Sequence, residues 1–286
     1  MVRRASRLKK MWSPYAYSRS SASLRGLVFL VFLTAASGTA TPGRRLADAE
    51  RCDVAAVRRA LPPGGGASCG NVTIAGMQSS GSTLVYQLAR GVMAHGSRAT
   101  TLSKTHRFDL VYKADGGAPC ALVTYRDFRD VLCSTARRQG DCADCSASAM
   151  EAKLKSWLGR LFSGRYRWEE WLPRLETDGA VMLRYEAAAD CPRELLRALA
   201  AWRGVAPPLP HTEEKLLAES SLDANLERAA KLKRFGAWDP ATQVHGNHIS
   251  NGGLSGGWRS CFTPAVEAHV RQVLGGLLER YGYSWD

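Results

Sequence analysis

The chain reads as an α/β protein with a central parallel sheet flanked by helices. Three observations predict this. Short β-prone runs alternate with helical patterns between residues 71 and 282. A loop rich in Gly and Ser separates the first run from the first helical pattern. Most of the residue clusters that could bind a ligand fall at the carboxyl ends of the runs, where open parallel sheets place their sites.

The elements follow in order. Asn71-Val-Thr-Ile-Ala75 is the first β-prone run, and Leu84, Val85, Leu88, Ala89 and Val92 then recur at helical spacing. Ala99-Thr-Thr-Leu-Ser103 is the second run. Cys120-Ala-Leu-Val-Thr-Tyr125 is the third, and it leads into Arg126-Asp-Phe-Arg-Asp-Val131 and a helix. A long helical region is expected over 147–163, through Met150, Leu154, Trp157, Leu158 and Leu161. Ala180–Tyr185 is the fourth run, with a helix over Arg193–Arg203 after it, and Pro264–Tyr281 closes the chain as an amphipathic helix.

Three segments are expected: a basic tail over 1–47, a linker over 48–70 containing Pro62-Pro-Gly-Gly-Gly66, and one domain over 71–286. The tail carries Arg3, Arg4, Arg7, Lys9, Lys10, Arg19, Arg25, Arg44 and Arg45 and no acid, so +9 of the net +13 sits there. The body keeps only +4, which gives no basic face and argues against a nucleic-acid partner. Within the tail, Gly26–Ala36 is apolar and small residues follow it. A spanning helix needs ~20 apolar residues. Residues 24–40 are short of that, so the stretch is a cleaved signal peptide or a short signal-anchor to the membrane. Either address puts the body in the secretory pathway, with the Golgi membrane expected and organelle import as the alternative.

Eight cysteines suit that address, though their pairing is not legible from the sequence. Cys142-Ala-Asp-Cys145 lacks a second CxxC or a His pair, so a disulfide is expected there rather than zinc. Asn71-Val-Thr73 is a glycosylation sequon, but it begins a β-prone run, which argues against its use.

Gly76-Met-Gln-Ser-Ser-Gly-Ser-Thr83, between strand and helix, has the composition of an anion site built from backbone N–H groups and a helix start. The nucleotidase pattern requires Lys after the second glycine; Ser82 stands there, which disfavours a P-loop kinase or NTPase. Lys104-Thr-His106 follows the second run. A histidine is suited to taking a proton near neutral pH, and a lysine two residues away on an extended chain shares its side. Tyr125-Arg-Asp-Phe-Arg-Asp-Val-Leu-Cys-Ser134 places a guanidinium at the strand end and a hydroxyl in the following helix.

In this order the motifs resemble the PAPS-dependent sulfotransferases, whose donor is 3′-phosphoadenosine 5′-phosphosulfate. The loop Ser79-Ser80-Gly81-Ser82-Thr83 resembles the family's Lys/Arg-Ser-Gly-Thr/Ser-Thr. Lys104-Thr-His106 matches a Lys-Thr-His segment, and Arg126–Ser134 resembles Arg-(Asp/Asn)-Pro-(Arg/Lys)-Asp-Val-x-x-Ser with Phe128 in place of proline. Leu183-Arg-Tyr-Glu186 resembles the Tyr-Glu-Asp segment, and Ser220-Ser-Leu222 is a weak counterpart of an adenine-side Thr-Ser-Phe. Gly252–Thr263 resembles the late Arg-Lys-Gly-x-x-Gly-Asp-Trp-Lys-x-x-Phe-Thr loop.

The resemblance implies a P-loop-like sulfotransferase fold and sulfuryl transfer from PAPS, without a metal, to a hydroxyl or amine of a glycan, protein or small molecule. It assigns His106 as catalytic base and Lys104 as catalytic cation. Gln78, Ser79, Ser80, Gly81, Ser82 and Thr83 would hold the 5′-phosphosulfate. Arg126, Ser134, Gly253, Gly256, Trp258 and Arg259 would hold the 3′-phosphate side, with Trp258 packing its loop down and Glu186 tethering the loops.

Two cations of the pattern are missing: Ser79 replaces the loop's basic residue, and Asn251-Gly252 replaces Arg-Lys. Lys104, Arg259, Arg129 and Arg107 are the candidates to replace them. The alternative function is a catalytically silent protein that binds a nucleotide or a sulfated ligand on the same fold. Oligomeric state is not legible.

Overall fold

The computed structural model describes residues 52–96, 100–138, 147–164, 166–232, 237–246 and 255–285. The chain divides into two units, Met1–Thr41 and Pro42–Asp286, and the fold is that of the second. The basic tail over 1–47 with its apolar stretch, the Cys142–Cys145 pair, and Asn251, Gly252 and Gly253 lie outside the described residues. Among the described residues no helix is long and apolar enough to cross a membrane.

Four strands make one parallel sheet: β1 (Asn71–Gly76), β2 (Thr101–Thr105), β3 (Ala121–Tyr125) and β4 (Val181–Arg184), in the order β2-β1-β3-β4. β1 pairs with β2 from Asn71↔Thr101 to Ala75↔Thr105, and with β3 from Thr73↔Ala121 to Gly76↔Thr124. The helices are α1 (Val54–Ala60), α2 (Ser82–His95), α3 (Phe128–Arg138), α4 (Ala147–Leu158), α5 (Trp168–Thr177), α6 (Tyr185–Asp190), α7 (Pro192–Arg203), α8 (Pro210–Ser220), α9 (Leu222–Lys231) and α10 (Pro264–Arg280).

Both faces of the sheet are covered, which is why its strands read as nearly continuous apolar runs. Ala75, Val123 and Met182 face a core shared with Val131 of α3, Leu158 of α4, Leu172 of α5 and Val270 of α10. Val72, Ile74, Leu122 and Leu183 face the opposite core, with Val57 of α1, Leu88 of α2 and Leu196 of α7.

The expected elements are present, with shifts. β2 starts at Thr101 and extends past Ser103 to take in Lys104 and Thr105. The helical region over 147–163 ends as one π-helical turn, Gly159–Ser163.

Residues 48–70 are not a plain linker over their described part. Asp53 caps α1 by accepting from the Ala56 amide at 2.8 Å, and Val57 and Leu61 are buried. Disulfides Cys52–Cys191 and Cys69–Cys120 bind this segment to the body. The Pro62–Gly66 turn that suggested a linker packs against the Trp202 side chain at Gly65 and Gly66.

Four further helices carried weak signals. α5 contains Pro173, α6 is a single short stretch, and α8 and α9 have largely polar faces, burying only Glu213 and Ser220, and Asn225 and Ala229.

Candidate active site

The strand order changes direction between β1 and β3, because β2 lies to one side and β4 to the other. That switch opens a crevice at the carboxyl ends of β1 and β3. The 76–83 loop leaves β1 there. Gly76 permits the close approach to β3, since a Cβ would meet Thr124 Oγ1 and Ser82 Cβ. Ser79 (φ 60°) and Gly81 (φ 79°) turn the chain through the left-handed region. Ser80 is fully buried, with Oγ 2.6 Å from the Met77 carbonyl oxygen and 2.8 Å from Thr124 Oγ1. Its hydroxyl therefore pins the loop, and a ligand would meet its backbone.

α2 begins without a side-chain cap and with no acid in its first turn. Its first N–H groups and the positive end of its dipole are thus directed at the crevice. Lys104, at the end of β2, donates from Nζ to Thr83 Oγ1 at 2.6 Å. His106 Nδ1 lies 2.8 Å from the Gly76 carbonyl oxygen. A carbonyl only accepts, so this bond keeps the proton on Nδ1 and makes Nε2 the basic nitrogen. The strand end thus brings a cation and a base to the two ends of the same loop.

Arg126 and Ser134 join the loop from the β3 side. Arg126 is buried, with Nη1 3.3 Å from the Ser79 carbonyl oxygen, Nη2 3.4 Å from Asp130 Oδ2, and its guanidinium 4.5 Å from the centre of the Tyr185 ring. Ser134 Oγ lies 3.0 Å from Ser79 Oγ. Gly81 makes room for Tyr185, because a Cβ there would run into that ring. Burial pushes the Tyr185 hydroxyl pKa up, which keeps it neutral.

The glycine loop reaches the crevice over its described part, 255–261. Gly256 turns at φ 78°, and Trp258 is buried. Both amides donate to Asp130: Gly256 N to Oδ2 at 2.8 Å, Trp258 N to Oδ1 at 2.9 Å. Burial pushes the Asp130 carboxyl up, against the pull of Arg126 and these two amides. Cys133–Cys261 joins the same helix to the end of the same loop. Glu186 Oε2 accepts from Tyr283 Oη at 2.9 Å, and Oε1 accepts from the Asp127 amide at 3.4 Å, so it does link separate loops.

The candidates for the missing cations are sorted by this geometry. Arg107 is tied to Asp109 at 2.6 Å on an exposed surface. Arg129 donates to Asp127 from Nε at 2.8 Å and Nη2 at 2.7 Å, buried between the Trp258 and Trp285 rings. Arg259 stacks on Trp258 at 4.7 Å. Lys104 is the candidate whose ammonium contacts the start of α2. The Ser220-Ser-Leu222 segment spends its hydroxyls on helix ends: Ser220 Oγ donates to the Leu216 carbonyl at 2.7 Å, and Ser221 caps α9.

Three features escaped the sequence reading. Asp130 was part of a recognised motif, yet nothing local showed that both its oxygens serve a loop more than a hundred residues away. Tyr185 belongs to the Leu183–Glu186 segment, yet nothing in that segment showed that its ring would lie against Gly81 and the Arg126 guanidinium. Tyr166 Oη accepts from Gln78 Nε2 at 2.8 Å, which places the segment after the π turn beside the 76–83 loop. The π turn and the left-handed Arg167 (φ 48°) are irregularities of a kind that collects at functional sites.

No protein-family model and no curated protein sequence matches the chain. Solved structures do match it. The crystal structure of mouse sulfotransferase SULT7A1 complexed with PAP superposes with a TM-score of 0.51 at 12% identity, over 73% of this chain and 84% of that one. The fold is that of the sulfotransferases. The crystal structure of retinol dehydratase in complex with androsterone and inactive cofactor PAP superposes with a TM-score of 0.50 at 12% identity, over 85% of this chain and 87% of that one. The donors of this chain fit a phosphate-like anion: an uncapped helix start, the Lys104 ammonium, the Arg126 guanidinium and the Ser79 and Ser134 hydroxyls. Among the described residues no His, Cys, Asp and Glu group could hold a metal.

Proposed function

We propose that the chain transfers a sulfuryl group from PAPS to a hydroxyl or amine acceptor. One observation carries this reading. The loop over 76–83, Lys104 with His106, and Arg126 with Ser134 come from three separate stretches of sequence and meet at one crevice on a sulfotransferase fold.

PAPS, when bound, supplies the activated sulfuryl group. The start of α2 and Lys104 then hold negative charge at the 5′ side. Arg126 and Ser134 hold the 3′-phosphate, with Gly256, Trp258 and Arg259 beside it. His106 accepts the acceptor's proton at Nε2, its ring held by the Gly76 carbonyl. Positioning and charge stabilisation do most of the work, and the reaction needs no metal.

The acceptor belongs to a glycan, a protein or a small molecule. Three disulfides, Cys52–Cys191, Cys69–Cys120 and Cys133–Cys261, support a body that matures in an oxidising compartment, in keeping with a secretory, Golgi-membrane address given by the tail.

The test is transfer of labelled sulfate from PAPS to glycan, peptide and phenol acceptors, alongside melting of the body over 48–286 with PAP or with ATP and magnesium. Sulfate transfer with a PAP-specific rise in Tm supports the reading. A rise with ATP as large as with PAP refutes it. Ser79, in place of the basic loop residue, favours the second reading, a silent binder: tight PAP binding with no transfer to any acceptor would establish that instead.

A further inference from the structure

The stretch from Arg126 through α3 does more than present Arg126 and Ser134. In the first turn of α3, Asp130 spans two amides of the glycine loop with its two oxygens. One turn further, Cys133 is bonded to Cys261, where the same loop ends. Between these two ties, Trp258 lies buried against the Arg129 guanidinium at 4.1 Å, and Asp127 fixes that guanidinium in turn. Asp130 also faces the Arg126 guanidinium at 3.4 Å. A single carboxylate therefore orients the arginine on one side and the loop backbone on the other. Cys133 is fully buried and Cys261 half-buried, so an attacking thiolate would approach from the Cys261 side.

We propose that Asp130 and the Cys133–Cys261 bridge are positioning residues that hold the 255–261 loop against α3 in a preformed co-substrate site, and that co-substrate affinity consequently depends on the redox state of this bridge. The inference rests on the sulfotransferase reading and deepens it. A loop that must be ordered when a ligand binds spends part of the binding free energy on its own ordering, and one held beforehand does not. The bridge and the carboxylate make that ordering part of folding. They compensate on the 3′ side for the Arg-Lys pair that the pattern lacks at Asn251-Gly252. Reduction by a dithiol breaks the Cys133–Cys261 bond, leaves two thiols, and converts the dithiol into its own disulfide.

The test uses the full chain in four forms: parent, Cys133→Ser/Cys261→Ser, Asp130→Asn, and Cys52→Ser/Cys191→Ser as a control whose bridge lies at the start of α1. PAP affinity is measured by calorimetry well below each form's Tm, and kcat and KM for PAPS are measured where transfer is found. Asp130→Asn can satisfy at most one of the two amides, and losing a charge-assisted bond weakens PAP binding by about tenfold or more. Cys133→Ser/Cys261→Ser is expected to do likewise, raising KM for PAPS while kcat at saturation stays within about twofold, because only ordering of the site is lost. The Cys52→Ser/Cys191→Ser control should lower Tm without changing PAP affinity. Should the bridge variant fail to fold, Asp130→Asn alone decides. Parent-like PAP affinity in Asp130→Asn and in every folded bridge variant overturns the proposal and leaves the sulfotransferase reading intact. A parent that binds no PAP overturns both.

Discussion

Replacing Lys104 by Met is the sharpest probe of the site. The substitution keeps most of the apolar stem and removes the ammonium, whose Nζ lies 2.6 Å from Thr83 Oγ1 at the start of α2. Two of the other candidate cations are committed elsewhere: Arg129 to Asp127 and two tryptophan rings, Arg107 to Asp109. Ser79 offers only a hydroxyl, already 3.0 Å from Ser134 Oγ. The magnitude has two bounds. A unit charge about 4 Å from developing charge, at an effective dielectric near 20, is worth at most about 4 kcal/mol. Removing one oriented donor from a reaction centre typically costs about 2.7–4 kcal/mol, or ~10²–10³ in kcat. Lys104→Met should thus lose ~10²–10³ in single-turnover sulfate transfer. PAP, which lacks the transferred group, should bind it with a much smaller loss, measured by calorimetry. Parent-like turnover in Lys104→Met would show that another group stabilises the transferring charge and make Arg259 the next candidate.

Three further outcomes are expected. His106→Ala should lower turnover by ~10²–10⁴ with PAP affinity nearly intact, measured by the same two assays, because only the base is lost. Gly81→Ala should lose about 1–2 kcal/mol from the left-handed backbone and about 1–3 kcal/mol from crowding the Tyr185 ring, seen as a Tm roughly 5–15 °C lower by calorimetric melting. At Glu213, burial pushes the carboxyl pKa up, but hydrogen bonds from Arg197 and Arg193 outweigh it and hold the pKa below the usual range. The stability this group contributes is therefore present above the unfolded-state pKa and lost as pH falls through the folded one. Glu213→Gln should cost about 1–2 kcal/mol at pH 7, since both arginines are half-exposed, and the gap to the parent should close below about pH 4 in denaturant titrations.

The regular part of the fold was legible because burial on both faces of a parallel sheet leaves apolar runs, and covering helices leave a 3.6-residue period. β1, β3, β4, α2, α7 and α10 all show this. The Pro62–Gly66 turn misled in the other direction: its composition is that of a linker, but Cys52–Cys191, Cys69–Cys120 and the Trp202 side chain bind the segment to the body. α8 and α9 were not legible, since helices with so few buried residues leave no apolar stripe to read.

The local chemistry of the candidate site is written along the chain: a Gly/Ser turn before a helix, a Lys-Thr-His strand end, and an arginine followed by a serine at helical reach. Each is short-range, so spacing suffices to see it. Which of these groups meet, and which charges face the crevice, follows from long-range packing. Arg129 and Arg126 stand three residues apart in one motif, yet Asp127, Trp258 and Trp285 enclose the first while the second reaches the Ser79 carbonyl. Asp130 became the holder of a distant loop because both amides of that loop arrive within hydrogen-bonding distance of one buried carboxylate. Such pairings link residues 126 and 128 positions apart, and no periodicity in the chain records contacts of that range.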